Sequence, residues 1–286
     1  MGNGLVLGFF DGVHAGHRAV IESAVQNSSN PMLVTLKNFN KSKEFILSRK
    51  KSFEKAKSLG IKKIVELDFL QVAGMQAVDF LAFLKKEFSP ILISTGFNYT
   101  FGKNKSGDRS FLEDNQAKFG YKYFCAPPLK IENEVVSSTL IKTLLEKGNI
   151  EKANEFLESN FILEGKVIHG AQLGRTIGFP TANIDYPQGI IKLPYGVYSV
   201  KWHEKFGVMN WGLKPTVNNT LTPVVETHIL DFSGDLYGEN LEIEVLRRIR
   251  DEKKFNSLDE LKAQIKKDIE ECLNKLLSDM AKCLQI

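Results

Sequence analysis

The 286-residue chain carries 38 Lys and Arg against 34 Asp and Glu, a net charge of +4, with 43% hydrophobic and 25% charged residues. This is the composition of a globular protein; its interspersed charges give no basic arm or stripe for nucleic acid, and its apolar runs are too short to span a membrane. Cys125, Cys272 and Cys283 are scattered with no CxxC pair, which argues against a disulfide framework or a zinc site and fits a reducing cytoplasm, while the opening MGNGLVLGFFDGVHAGH lacks the basic and long apolar regions of a signal peptide.

In chain order, a strand at Leu5 to Leu7 leads into a helix starting near His14. A strand at Met32 to Leu36 precedes a Lys-rich helix, and one at Ile64 to Leu67 precedes a helix over Ala77 to Phe88. Further strands follow at Ile91 to Ile93 and Tyr121 to Phe124. Strands alternating with helices predict a parallel sheet covered on both faces, with ligands bound beyond the carboxyl ends of the strands. Helical patterns at Ser138 to Glu146 and Ile150 to Leu157 are separated by Gly148, and the domain boundary is expected at Glu158 to Asn160.

From Phe161 the texture changes. Phe161 to Val167, Gly196 to Trp202, Phe206 to Leu213, Val224 to Ile229 and Leu241 to Leu246 read as strands separated by Gly, Pro or Asn, which suggests an antiparallel barrel. A final long helix starts with a capping box, Ser257 at the N-cap and Glu260 three residues on. Its apolar face, Leu258, Leu261, Ile265, Ile269, Leu273 and Leu276, is expected to pack on the barrel.

The first chemical motif, Gly8-Phe9-Phe10-Asp11-Gly12-Val13-His14-Ala15-Gly16-His17, runs from the first strand into the first helix. A helix start presents unpaired N–H groups and the positive end of a dipole, which suits polyphosphate. His14 and His17 share a face there, and Gly16 lets a nucleotide come close to the backbone. Such a site stabilises charge developing on an α-phosphate and on departing pyrophosphate. The string resembles the HxGH nucleotidyltransferase superfamily, in its flavin-adenylylating branch.

That resemblance extends to two more segments. STGFNYTFGKNKSGD, Ser94 to Asp108, is similar to the family's flavin-phosphate loop, which implies flavin contacts at Asn98, Phe101 and Gly102. VSSTLIK, Val136 to Lys142, resembles its second nucleotide motif, which implies ATP contacts at Ser137, Ser138, Thr139 and Lys142 beside those at Gly8, Phe10, Asp11 and Gly16. The chain departs from the family pattern at Phe9, commonly Asn, at Lys142, commonly Arg, and in KNFNKSKEF after Leu36, where a Pro-His-Pro-like segment is usual.

The second motif, Gly165 to Asn183, reads GKVIHGAQLGRTIGFPTAN. Amides near Gly170 and Gly174 can wrap phosphates, and the Thr181 hydroxyl and Asn183 carbonyl are hard oxygens suited to Mg²⁺ alongside ATP. No GxxxxGK[ST] Walker loop is present. The string resembles riboflavin kinase, as do GVYSV, GVMNWGLKPTV and VETHILDFSGDLYGENLEIEVLRRIRDEKKF downstream. By that resemblance Glu226 is the catalytic base; Lys166, Arg175 and Arg250 are weaker candidates for phosphate or loop contacts, with a surface role at least as expected for Arg250.

The two signatures stand in the order of the bacterial bifunctional riboflavin kinase/FAD synthetase family. The resemblance implies a Rossmann-like nucleotidyltransferase domain over residues 1–158 and a six-stranded antiparallel kinase barrel with a long C-terminal helix over 159–286. It also implies riboflavin, FMN, FAD and ATP as small-molecule partners and Mg²⁺ as cofactor, with no nucleic-acid or membrane partner. A kinase with little adenylyl transfer and a non-catalytic flavin-binding regulator are the alternatives. Composition and spacing by themselves reach only a two-domain protein of phosphate chemistry.

Overall fold

A computed structural model describes residues 2–38, 44–170, 173–215 and 221–284. Parts of the motifs above, Phe39 to Lys43, Ala171, Gln172, Thr216 and Val217, lie outside the described residues. By internal contacts the chain divides into two units, Met1–Ile141 with Phe156–Glu158, and Lys142–Glu155 with Ser159–Ile286.

The first unit starts with β1 (Asn3–Leu7), α1 (Ala15–Asn27), β2 (Asn30–Lys37), α2 (Arg49–Ser58) and β3 (Lys63–Asp68). It continues through α3 (Phe69–Val72), α4 (Ala77–Phe88), β4 (Pro90–Gly96), α5 (Arg109–Asp114), α6 (Gln116–Phe119) and β5 (Lys122–Ala126), then a hairpin of β6 (Lys130–Ile131) and β7 (Glu134–Val135). The five main strands form one parallel sheet in the order β3-β2-β1-β4-β5. β2 reads Pro-Met-Leu-Val-Thr without a polar break because both of its faces are covered, as parallel strands require. One apolar layer joins the sheet to Val20, Ile21 and Ala24 of α1 and Ala56 of α2. On the other face Phe80, Leu81 and Leu84 of α4 pack at helical spacing.

Between the two sequences of strands lie α7 (Ser138–Glu146) and α8 (Ile150–Leu157). The second unit then has β8 (Phe161–Ile168), α9 (Leu173–Thr176), β9 (Ala182–Ile184), β10 (Gly196–Trp202), β11 (Lys205–Pro215), β12 (Leu221–Ile229), β13 (Asn240–Asp251) and α10 (Leu258–Leu284). Six strands close a barrel in the order β10-β11-β12-β9-β8-β13, every neighbouring pair antiparallel. Leu241, Ile243 and Val245 recur at period two and fill its interior with Phe161, Leu163, Tyr198, Trp211 and Val225, all buried. Asn154 of α8 docks on this barrel, donating to the Val245 carbonyl at 2.9 Å and accepting from the Phe161 amide at 2.8 Å.

Ser257 caps α10 as expected, accepting from the Glu260 amide at 3.2 Å, but Glu260 reaches back to the amide of Asn256, one residue further than a standard box. Of the expected apolar face, Leu261, Ile265 and Ile269 are half-buried, whereas Leu258 and Leu273 are exposed. The buried contact is made by Ile269 and Cys272 against Val197 and Val208. Asp268 completes it, its two carboxylate oxygens accepting from Nε and one terminal nitrogen of the Arg250 guanidinium, each at 2.8 Å. Arg250 is thereby committed to holding α10 on β13. Leu276 lies where the side chain is outside the described residues.

Candidate active sites

The sheet order makes β1 and β4 neighbours whose following helices, α1 and α5, serve opposite faces. The crevice at such a switch point is where ligands of open α/β sheets bind. The loop leaving β1 is tightly wound: Phe10, Gly12 and Val13 all have positive φ, at 54°, 80° and 43°. A branched residue such as Val pays for that conformation, so the surroundings must hold it. Asp11 does so from inside, its buried carboxylate accepting from the Ile46 amide at 2.8 Å. The Ser138 hydroxyl donates to the Asp11 carbonyl at 3.2 Å and joins the start of α7 to the same loop.

His14 is the N-cap of α1 and makes no side-chain cap bond. Its ring stacks on that of His17 at 3.7 Å and 19°, and Phe10 backs His17 at 5.0 Å. A Cβ on Gly16 would stand 3.2 Å from the His14 ring and 3.4 Å from the Val136 carbonyl, so glycine permits this close assembly. Burial, reinforced by the Lys55 ammonium, lowers the His14 pKa to about 4. Its Nδ1 is buried with no hydrogen-bond partner among the described residues. A neutral imidazole with a buried nitrogen at a helix start can hydrogen-bond a polar ligand.

The remaining expected residues of this unit divide by role. Gly8 has the Phe10 ring 2.9 Å from where its Cβ would be, so it admits that ring. Ser137 caps α7, accepting from the Leu140 amide at 3.2 Å; Thr139 is exposed, and Lys142 follows Ser138 by one turn as the first residue of the second unit. After β4, Asn98 is exposed, whereas Phe101 is buried against Phe80, Tyr99 and Phe111 at 5.5, 5.8 and 6.0 Å. Phe101 and Gly107 exchange backbone bonds at 3.0 Å, and Gly102, at φ 72°, lies against the backbone of Ala77. Phe101 therefore anchors the loop that presents Asn98. Phe9, at the departure from the family pattern, is absorbed by a ring contact with Phe45 at 6.0 Å.

In the barrel, register brings the second set together. Glu226 of β12 lies opposite Asn183 of β9 on one side and Asn210 of β11 on the other, so the three form a row across the sheet. Cβ atoms of such pairs are about 5 Å apart. Val225 and Thr227 are buried in the barrel, and alternation puts Glu226 on its outer face. A Cβ on Gly170 would come within 2.3 Å of the Asn183 amide, and one on Gly174 within 2.2 Å of the Phe179 carbonyl and 3.3 Å of the Thr181 hydroxyl. Gly170 and Gly174 thus lie directly against Asn183 and Thr181, and the neutral oxygen donors of these two residues fit a hard divalent cation accompanied by phosphate oxygens. Lys166 and Arg175 are exposed on β8 and α9.

Asn210 went unnoticed in the sequence; counting the β11–β12 register outward from Glu226 is the signal that finds it. His228 was also missed, and it binds the Pro180 carbonyl through Nδ1 at 2.7 Å, fixing the residue before Thr181.

A histidine pair at a helix start on one fold and a carboxylate beside a glycine cradle on the other fit the class of nucleotide-dependent transferases. Residues 2–140 match the family model for FAD synthetase, and residues 157–276 match that for riboflavin kinase. Curated relatives include the bifunctional riboflavin kinase/FMN adenylyltransferase of Bacillus subtilis, 34% identical over 94% of this chain and 91% of that one. The protein of that name in Haemophilus influenzae is 32% identical over 94% and 92%. A solved structure from Streptococcus pneumoniae, described as a macrolide-efflux protein, matches with a TM-score of 0.85 and 30% identity over 96% of this chain and 94% of that one. The chain belongs to the bifunctional riboflavin kinase/FMN adenylyltransferase family. Among the described residues no helix is long and apolar enough to cross a membrane.

Proposed function

We propose that the family's two activities are carried by separate sites, adenylyl transfer within residues 1–158 and kinase activity within 159–286. The chain is a riboflavin kinase and FMN adenylyltransferase: riboflavin and ATP give FMN and ADP, then FMN and ATP give FAD and pyrophosphate. The observation that carries the assignment of the kinase step is the Asn183–Glu226–Asn210 row beside the glycine cradle.

In the kinase reaction Glu226 accepts the proton of the riboflavin 5′-hydroxyl as that oxygen bonds to the γ-phosphorus and the bond to ADP breaks. Gly170 and Gly174 leave backbone amides open to the phosphates, with Lys166 and Arg175 supplying positive charge. Thr181 and Asn183 would hold Mg²⁺, which when bound neutralises charge on the ATP phosphates.

In the adenylyl transfer the FMN phosphate attacks the α-phosphorus of ATP and pyrophosphate leaves. His14 and His17 face the phosphates from the start of α1. Being neutral before ATP arrives, His14 contributes a hydrogen bond, and its basicity rises as anionic oxygens approach. Ser137, Ser138 and Thr139 line the start of α7, Asp11 holds the loop between, and Asn98 meets the flavin phosphate side. A cytoplasmic location is part of this reading, supported by the free thiols of Cys125 and Cys272.

The test is to incubate the purified protein with riboflavin, ATP and Mg²⁺ and separate the flavins by chromatography over time. FMN that rises and then converts to FAD is expected. FMN accumulating alone overturns the adenylyl-transfer half, and absence of product overturns both.

A further inference from the structure

β10 pairs with β11 only as far as Gly196 opposite Trp211, so the edge of β11 beyond Trp211 has lost its strand partner on that side. Unpaired backbone donors at such an edge need another acceptor. Glu252 supplies it. β13 ends at Asp251, opposite Gly196, and the next residue crosses the end of β10 so that the Glu252 carboxylate accepts from the Leu213 amide at 2.9 Å. Contact is close: a Cβ on Gly212 would stand 2.2 Å from Oε1 of Glu252, and 3.3 Å from Nδ2 of Asn210. On its other edge this same segment pairs with β12, Gly212 with Val224 and Asn210 with Glu226.

We infer that Glu252 is a positioning residue for the kinase reaction: its carboxylate latches the free edge of β11 and so fixes the Asn210–Glu226–Asn183 row. The inference rests on the assignment of Glu226 as base. Glu252 acts as a hydrogen-bond acceptor, and its charge is not what the row requires. Gly212 belongs to the latch because any larger residue occupies the place of the carboxylate.

The experiment measures riboflavin phosphorylation and FMN adenylylation separately in Glu252→Ala, Glu252→Gln, Gly212→Ala and the Glu252→Ala/Gly212→Ala double variant. Losing the hydrogen bond that holds the edge of β11 is expected to lower kinase kcat about tenfold in each single alanine variant, with KM for ATP little changed. The double variant is expected to be no worse than either single one, since both break one contact. Gln keeps an acceptor oxygen and is expected to restore most of the activity. Adenylylation of supplied FMN stays at the wild-type rate and reports that the first unit is intact, while a wild-type urea midpoint by tryptophan fluorescence, from Trp202 and Trp211, reports that the barrel is folded. Wild-type kinase activity in both single alanine variants overturns the inference. So does a Gln variant as impaired as Ala, or a joint fall in both activities. Glu226→Gln is assayed alongside: retained kinase activity there overturns the base assignment instead, whatever the Glu252 variants show.

Discussion

His14 shows how a single residue couples site and stability. Its folded pKa of about 4 lies below the ordinary value of 6.5, so between those pH values the unfolded chain binds a proton that the folded chain refuses. Stability is full above pH 6.5 and declines as the pH falls toward 4, by about 3 kcal/mol in all. Urea unfolding followed by circular dichroism between pH 4.5 and 6.5 is expected to show this acid slope in the wild type and a flatter one in His14→Gln. Equal slopes would contradict it. At this scale the HxGH spacing was legible, because a helix start and three-residue spacing bring His14 and His17 to one face, where their rings stack. The duties of Asp11 and Phe101 were not legible. Each depends on a partner far along the chain, Ile46 for one and Phe80 for the other.

At the scale of elements, patterns of period two and 3.6 revealed the main strands and helices, but short pieces and facing directions escaped them. β9 is three residues long and begins within Pro-Thr-Ala-Asn, too short to alternate, and only pairing with β8 and β12 makes it a strand. The seam of α10 is only partly legible in the sequence because it includes a carboxylate beside Ile269 and Cys272. Asp268 is buried by pairing with Arg250, and hydrophobic spacing passes over a charged residue in the seam. Asp268→Ala leaves that half-buried guanidinium without its carboxylate and is expected to destabilise the barrel by about 2 kcal/mol. Both tryptophans of the chain, Trp202 and Trp211, lie in barrel strands, so a urea titration followed by tryptophan fluorescence reads this directly. An unchanged midpoint would show that the pair does not hold α10.

For the whole molecule, the change of texture near Phe161 made the two folds visible in sequence, since β–α alternation and closely spaced antiparallel strands are different solutions to burying a sheet. Less legible was how the intervening helices are shared. Lys142–Glu155, covering most of α7 and α8, is counted with the barrel unit, and Phe156–Glu158 with the sheet unit. Helical periodicity shows that a face is buried but not which partner buries it. In the proposed function the counterpart of two folds is two chemistries with different requirements: Glu226 on a strand as base for phosphoryl transfer, and the stacked imidazoles of His14 and His17 at a helix start for adenylyl transfer.

The most direct test of that separation is to give the Glu226→Gln variant, in parallel reactions with ATP and Mg²⁺, riboflavin or FMN, and to resolve the products by chromatography. The account predicts no FMN from riboflavin, with FAD formed from supplied FMN at the wild-type rate. FMN formed from riboflavin at the wild-type rate, or loss of FAD formation from supplied FMN, would contradict it.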